Sequence, residues 1–206
     1  LIDISSLENE AVACQGVKGA YSHIACEKIF NNPKISFVEN FEDVFNKVKS
    51  KECRFGILPI ENSTAGSVEE VYDLVAKHNL YICGGIKLKV SHCLVSNKGN
   101  DIKNVKKVVS HPQALAQCSR FINKIGAEKI EMLNTAVSAK YVSECKDNSY
   151  AAISSELTAK IYDLGILKSD IQDAQMNLTR FIVISNEFII TPDADKISLC
   201  LRIPHK

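Results

Sequence analysis

Arg54-Phe55-Gly56-Ile57-Leu58-Pro59-Ile60 decides how the rest of this chain is read. After the arginine no charge interrupts the run, which is the composition of a buried strand. The chain then passes through the polar Glu61-Asn62-Ser63-Thr64-Ala65-Gly66 into Ser67-Val68-Glu69-Glu70. That tetrapeptide reads as a capping box opening a helix with Val68, Val71, Tyr72 and Val75 inward. Upstream, a strand at Ala11 to Cys14 leads through Gly16-Val17-Lys18-Gly19 into a helix from Tyr21 to Phe30. A strand at Ile35 to Val38 follows, then a helix capped by Asn40 with Asp43 at its third position.

Downstream the alternation continues. Two strands are expected at Leu80 to Cys83 and Ile86 to Val95, and another at Lys106 to Ser110. The helix after it turns Ala114, Leu115, Cys118, Phe121, Ile122 and Ile125 inward. Lys129 to Leu133 and Tyr150 to Ser154 read as strands, Thr135 to Cys145 and Leu157 to Leu164 as helices. Such β-α alternation predicts an α/β protein with mainly parallel sheets covered by helices on both faces. Crossings near Ile86 to Val95 and Gln175 to Arg180 would divide it into two lobes with an interlobe cleft, where small ligands bind. Ile197, Leu199, Leu201 and Ile203 alternate with Ser198, Cys200 and Arg202 as a half-buried strand. With Leu1 at the start and no partner strand beyond, the expectation is a piece of a longer polypeptide.

Composition narrows the function. The 206 residues carry 25 basic and 24 acidic side chains spread evenly, so no basic stripe exists for a nucleic acid. The longest apolar runs are too short to span a bilayer, which argues against a membrane protein. The eight cysteines occur singly, without a C-x-x-C pair, in a chain able to bury a large core. A reduced, cytoplasmic protein is expected. No His, Cys and Asp cluster has metal spacing, and Gly16-Val17-Lys18-Gly19 is not a phosphate loop, so neither metal nor nucleotide is expected.

The strand-to-helix junctions hold the chemistry. Gly16 to Ser22, Asn62 to Ser67, Ser110 to Gln113 and Asn134 to Ala136 each set hydroxyls or amides beside helix-start N–H groups. Such ends attract carboxylates, and the same residues serve equally as plain N-caps. Glu61 emerges from the end of the apolar strand. Partial burial there would raise its pKa and make it an acid, or it ties down the loop. Leu178-Thr179-Arg180-Phe181 puts a hydroxyl, a cation and an aromatic at the mouth of the strand Ile182-Val183-Ile184. His92 reads as a structural histidine, and neither it nor His111 has a nucleophile arranged beside it. The residues alone describe a two-lobed α/β protein binding a small carboxylate.

Gly16-Val17-Lys18-Gly19-Ala20-Tyr21-Ser22, Pro59-Ile60-Glu61-Asn62-Ser63, Ser110-His111-Pro112-Gln113-Ala114 and Asn177-Leu178-Thr179-Arg180-Phe181 stand in the order found in prephenate dehydratases. The chain resembles the dehydratase domain of bifunctional chorismate mutase–prephenate dehydratases from Ala11 to Ile184. The resemblance implies a two-lobed fold related to type II periplasmic binding proteins, with 11–86 plus 177–190 as the first lobe and 87–176 as the second. Residues 1–10 would be linker from an upstream mutase, and 191–206 linker and opening strand of a truncated regulatory ACT domain. It also implies conversion of prephenate to phenylpyruvate, water and carbon dioxide in L-phenylalanine biosynthesis, without a cofactor.

By motif position, Thr179 would meet the departing hydroxyl as donor or relay, backed by a neighbour such as Glu61. Phe181 would position the ring or support the loop, and Arg180 would clamp a carboxylate or hold the loop by an ion pair. Asn62, Ser63, Thr64, Ser110, Gln117 and Thr135 are the expected substrate contacts. The sequence departs from the family at Val17, Ala20 and Gly85, where a proline, a threonine and a glutamate are common. A homodimer is expected. Two rivals remain: a non-catalytic amino-acid receptor, and an arogenate dehydratase, which would need an acidic partner for the substrate ammonium.

Overall fold

The computed structural model describes residues 2–174, 176–192 and 194–197. In chain order the strands and helices are β1 (Ala11–Gln15), α1 (Tyr21–Ile29), β2 (Lys34–Val38), α2 (Phe41–Lys49), β3 (Phe55–Asn62), β4 (Gly66–Ser67), α3 (Glu69–His78) and β5 (Tyr81–Lys89). They continue with β6 (Cys93–Ser96), β7 (Lys107–Ser110), α4 (Pro112–Gln117), α5 (Ser119–Ile125) and β8 (Glu128–Glu131). The last are α6 (Thr135–Glu144), β9 (Tyr150–Ser154), α7 (Glu156–Ile161), β10 (Gly165–Lys168) and β11 (Leu178–Ser185). The alternating strand expected across Ile197 to Ile203 lies almost wholly outside the described residues.

Two compact units result. One gathers the described residues of Leu1–Gly16, Ala25–Leu88 and Thr179–Lys206, the other Val17–Ile24 and Lys89–Leu178. Val17–Ile24, which a division at 86/87 assigns to the first lobe, thus groups with the second unit. The first unit holds a sheet in the order β2-β1-β3-β11-β5, with β4 paired to β3. Its core packs Val44, Phe45 and Val48 of α2 and Val71 and Leu74 of α3 against Leu58, Ile60, Ile182 and Ile184. The second unit holds the order β10-β6-β9-β7-β8. There the period of two is plain: Leu94, Val108, Ala151 and Ile153 face Leu115 and Ile122, while Val95, Val109 and Ala152 face Ala139 and Val142. Helices on both faces explain why these strands read as unbroken apolar runs.

Both sheets are mixed, which corrects the expectation of mainly parallel ones. β1–β2, β1–β3, β7–β8 and β7–β9 are parallel, whereas β11 runs antiparallel to β3, and β6 to β9 and β10. The parallel neighbours arise from helix-connected segments. β6 and β11 are reached without an intervening helix, so counting β-α alternation misses their sense.

Local differences have local causes. Ser67 pairs with Glu61 in β4 instead of capping α3, whose N-cap Val68 makes no side-chain bond. Tyr72 is exposed and Leu74 takes the inward place. The strands expected around Gly84-Gly85 are one strand, β5, and the break falls at Val90 to His92. The helix after β7 is divided at Cys118, though its inward residues stay buried or half-buried. Asn40 does cap α2, accepting from the Asp43 N–H at 2.9 Å.

Candidate active site

The ends of β3 and β11 form the polar feature of the first unit. The antiparallel register sets Thr179 opposite Asn62 and Arg180 opposite Glu61, then skips Ile60 to pair Phe181 with Pro59. Such an irregularity re-aims side chains where a ladder ends. Asn62 Nδ2 donates to Thr179 Oγ1 at 2.8 Å. On its other side, Asn62 Oδ1 accepts from the backbone N–H groups of Thr64 at 3.0 Å and Ala65 at 2.9 Å, and from Thr64 Oγ1 at 2.7 Å.

Those backbone donors fix which way the amide faces, because an N–H can only donate. Thr179 therefore receives a hydrogen bond from Asn62, and its own hydrogen is left to point elsewhere. Thr179 is buried, with 9% of its surface exposed.

Strand alternation puts Glu61 and Arg180 on the opposite side from Asn62 and Thr179. Both are exposed. This corrects two expectations: Glu61 lacks the partial burial its reading as an acid required, and the group beside Thr179 is Asn62. Arg180 makes no ion pair among the described residues, so the reading as a structural ion pair is not met. Phe181 is only 2% exposed and packs in the core, as support of the strand requires.

In the second unit, Ser110 is fully buried and its hydroxyl donates to the Ile153 carbonyl at 2.8 Å. That bond ties β7 to β9. His111 caps α4, its Nδ1 accepting from the Gln113 N–H at 3.2 Å. Thr135 is half-buried in the first turn of α6, behind Asn134, which accepts from Val137 N–H at 2.8 Å. Gln117, at the end of α4, is half-buried, with Oε1 2.9 Å from His92 Nε2 and 3.1 Å from Asn177 Nδ2. Ser63 is exposed at the turn after β3.

Sequence reasoning missed Asn177, Ser155 and Thr158 as site-building groups. Asn177 is 1% exposed, and an amide one residue before Leu178-Thr179 is its signal. Thr158 Oγ1 and Ser155 Oγ donate to the Gly19 carbonyl at 2.8 and 3.3 Å, while Gly19 N–H donates to His23 Nδ1 at 3.0 Å. The first loop is thus held through the Gly19 backbone.

Burial governs the electrostatics. It pushes the Tyr21 phenol well up, although that hydroxyl donates to the Ser91 carbonyl at 2.7 Å, and it lowers the His92 pKa. Cavities of about 280 Å³ by Tyr21, Ser91, Ser155 and Lys160, and about 460 Å³ by Ser67, Glu69, Tyr72 and Asp73, include neither Thr179 nor Gln117. Among the described residues no cluster of three or more His, Cys, Asp or Glu could hold a metal ion. None of their helices is long and apolar enough to cross a membrane.

Two mixed α/β sheets define the class, an α/β protein of two compact units, the first of which carries an amide-held threonine at a strand end. The profile of the prephenate dehydratase family matches residues 12–188, and the chain belongs to that family. The Arabidopsis thaliana protein named arogenate dehydratase/prephenate dehydratase 2, chloroplastic, is 43% identical over 187 residues, 91% of this chain and 49% of that protein. A bifunctional chorismate mutase/prephenate dehydratase of Buchnera aphidicola is 34% identical over 207 residues, 98% of this chain and 52% of that one. The prephenate dehydratase structure from Staphylococcus aureus superposes with a TM-score of 0.79 at 27% identity, covering 89% of this chain and 69% of that one. The chain spans about half the length of the curated relatives it matches.

Proposed function

We propose that the chain carries the dehydratase step of L-phenylalanine biosynthesis, converting prephenate and one proton to phenylpyruvate, water and carbon dioxide. The electron pair of the breaking ring–carboxylate bond moves through the ring, and the C–O bond to the hydroxyl breaks as the ring becomes aromatic. Hydroxide leaves poorly, so a donor must meet it, an effect worth roughly 10²–10⁴ in rate. The observation that carries this reading is the bond from Asn62 to Thr179. It leaves the Thr179 O–H as a donor, and donation into Oγ1 strengthens that donor. A threonine is too weak an acid to lose its proton outright, so Thr179 hands on a proton or holds the leaving oxygen by hydrogen bonding.

Gln117, Thr135, Ser63 and Arg180 are proposed as substrate contacts. Thr64 acts through Asn62, and Glu61, Ser110 and Phe181 support the strands. A prephenate-to-phenylpyruvate assay on the purified chain tests the proposal. No turnover together with tight amino-acid binding would replace it with the receptor reading.

Arogenate is the second substrate to compare, because the Arabidopsis relative carries both activities in its name. The ratio of kcat/KM for the two compounds decides between them. The mutase fusion named for the Buchnera relative, a following ACT domain, self-association as a homodimer and a cytoplasmic location complete the proposal. The seven described cysteines, all free, support a reducing compartment. Sequencing the parent transcript and weighing the chain by light scattering test the fusion and the dimer.

A further inference from the structure

A cavity of about 280 Å³ takes no part in the chemistry above, and the residues lining it all belong to the second unit. Its walls come from three segments. Tyr21 and Ile24 lie on α1, Lys89 and Ser91 stand at and just beyond the end of β5, and Ser155, Glu156, Leu157 and Lys160 come from the cap and body of α7.

Internal hydrogen bonds pin these walls together. The Gly19 carbonyl, two residues before α1, accepts from Thr158 Oγ1 of α7 at 2.8 Å and from Ser155 Oγ at 3.3 Å. Gly19 has a φ of +94°, and a Cβ there would come 2.8 Å from Thr158 Oγ1, so the two segments meet at a position that calls for glycine. The Tyr21 hydroxyl in turn donates to the Ser91 carbonyl at 2.7 Å. The hollow is framed before any ligand arrives, as small-molecule sites usually are.

The same bonds decide what the hollow recognises. The Tyr21 hydrogen is spent on Ser91, and burial pushes the phenol well up, so it stays neutral. Ser91 Oγ donates to Asp170 Oδ1 at 2.8 Å, and the Ser155 hydrogen goes to Gly19 or to Thr158 Oγ1, 2.7 Å away. The lining hydroxyls thus have no hydrogen to offer a ligand. What faces it is an apolar surface from Tyr21, Ile24 and Leu157, each half-buried, together with two ammonium groups.

Both lysines are able to turn to an anion. Lys160 pairs with Glu156 at 3.0 Å, but both side chains are exposed and such pairs hold weakly. Lys89 Nζ stands 3.7 Å from Asp170 Oδ1, beyond hydrogen-bond reach, and that oxygen already accepts from Ser91 and Gln172. Among the described residues of the lining, Glu156 is the acidic one against these two cations.

We propose that this cavity is a second binding site, for a small monocarboxylate with an aromatic body. The body packs on Tyr21, Ile24 and Leu157, and Lys89 and Lys160 meet the carboxylate. Thr179 is not part of the site, and the proposal does not rest on the dehydratase reading.

The test is a titration of the chain with 3-phenylpropionate followed by methyl and amide NMR. Saturable shifts of the Ile24 and Leu157 methyl signals are expected, with half-saturation at ~1–10 mM, the range open to a ligand of this size. Acetate has the head without the body, and 3-phenylpropionamide the body without the charge. Each should bind at least roughly fivefold more weakly. Lys89→Met and Lys160→Met, both at exposed positions, should each weaken 3-phenylpropionate about two- to fivefold and leave the amide unaffected.

Shifts that do not saturate, equal affinity for either comparison compound, or lysine variants that bind as the unsubstituted chain does overturn the proposal. So do shifts centred on Thr179 and Asn62 while Ile24 and Leu157 stay still. Thr179→Val should bind 3-phenylpropionate unchanged. A chain that binds here yet leaves prephenate unconverted counts against the proposed function alone.

Discussion

Asn62 Nδ2 lies 2.8 Å from Thr179 Oγ1, joining two residues that are 117 positions apart in sequence and directly opposite in the ladder. The bond has a direction, because the turn after β3 occupies the amide oxygen with the N–H groups of Thr64 and Ala65. A loop conformation thereby sets the polarity of a hydroxyl on another strand. The sequence pairs Glu61 with Thr179 by proximity of motif; the pleat separates them, and the next residue along is the partner.

That polarity is open to test. Asn62→Asp keeps the size and the oxygen facing the turn but replaces the donor to Thr179 with an acceptor. The Thr179 hydrogen should then turn toward the introduced carboxylate and away from the leaving group, with kcat falling about 10²-fold, within the range for losing a general acid. Thr179→Ser should retain most turnover, and Thr179→Val should lose as much as Asn62→Asp. Steady-state kinetics on prephenate decide the matter, and wild-type kcat in Asn62→Asp refutes the assigned direction.

Ser110 gives a contrasting case. Its hydroxyl is buried and bonded to the Ile153 carbonyl at 2.8 Å. Ser110→Ala should leave that carbonyl short of a donor and cost about 1–3 kcal/mol of stability, with KM for substrate nearly unchanged. Urea denaturation beside steady-state kinetics separates the two. A raised KM at unchanged stability restores Ser110 as a substrate contact.

The sequence carries the strand and helix pattern because buried strands and amphipathic helices have a composition and a period. It carries the polar junctions because caps and turns need Ser, Asn and Gly, as the Asn40 cap of α2 illustrates. Strand direction is not legible: nothing in Leu178 to Ser185 says that this segment enters beside β3 in the opposite sense. The sense of a pair is decided by which connections cross between sheets. Side-chain sidedness is lost with it, which is why the sequence does not show that Glu61 and Thr179 lie on opposite sides of their strands, or that Ser110 and Phe181 are buried. Polar residue type marks a hydrogen bond, but whether the partner is a ligand or the Ile153 carbonyl depends on the fold.

Acid should weaken the first unit through His78. The ring is 9% exposed and stacks on Phe45 at 5.1 Å, and neither nitrogen has a hydrogen-bond partner among the described residues. Glu42 Oε1 stands 3.7 Å from Nε2, too far for a hydrogen bond. Burial first, then Lys49 and Lys77, lower the His78 pKa from its ordinary 6.5, with Glu42 opposing. The unfolded chain therefore takes up the proton at a higher pH than the folded one. Stability is fully present above about 6.5 and declines as pH falls from there toward the folded value. The urea midpoint should drop between pH 7.5 and 5.5, and His78→Phe should flatten the decline. An equal drop in that variant assigns the effect to other groups.

Gly85 lies in β5, which runs beside β11 in the sheet. A Cβ at Gly85 would come 2.7 Å from the Phe181 carbonyl oxygen, a backbone atom that cannot swing aside. At Gly84 the nearest atom, 2.8 Å away, is the tip of the Ile4 side chain, which can. Gly85→Ala should therefore cost about 1–3 kcal/mol, as overpacking does, and Gly84→Ala clearly less. Phe181 adjoins the register change that aims Thr179 at Asn62, so Gly85→Ala should also lower kcat, whereas Gly84→Ala should not. Urea midpoints and kcat measured on both variants test the pairing of effects. Equal stability and turnover in the two would mean that β5 yields freely and that the missing side chain at position 85 has no bearing on Thr179.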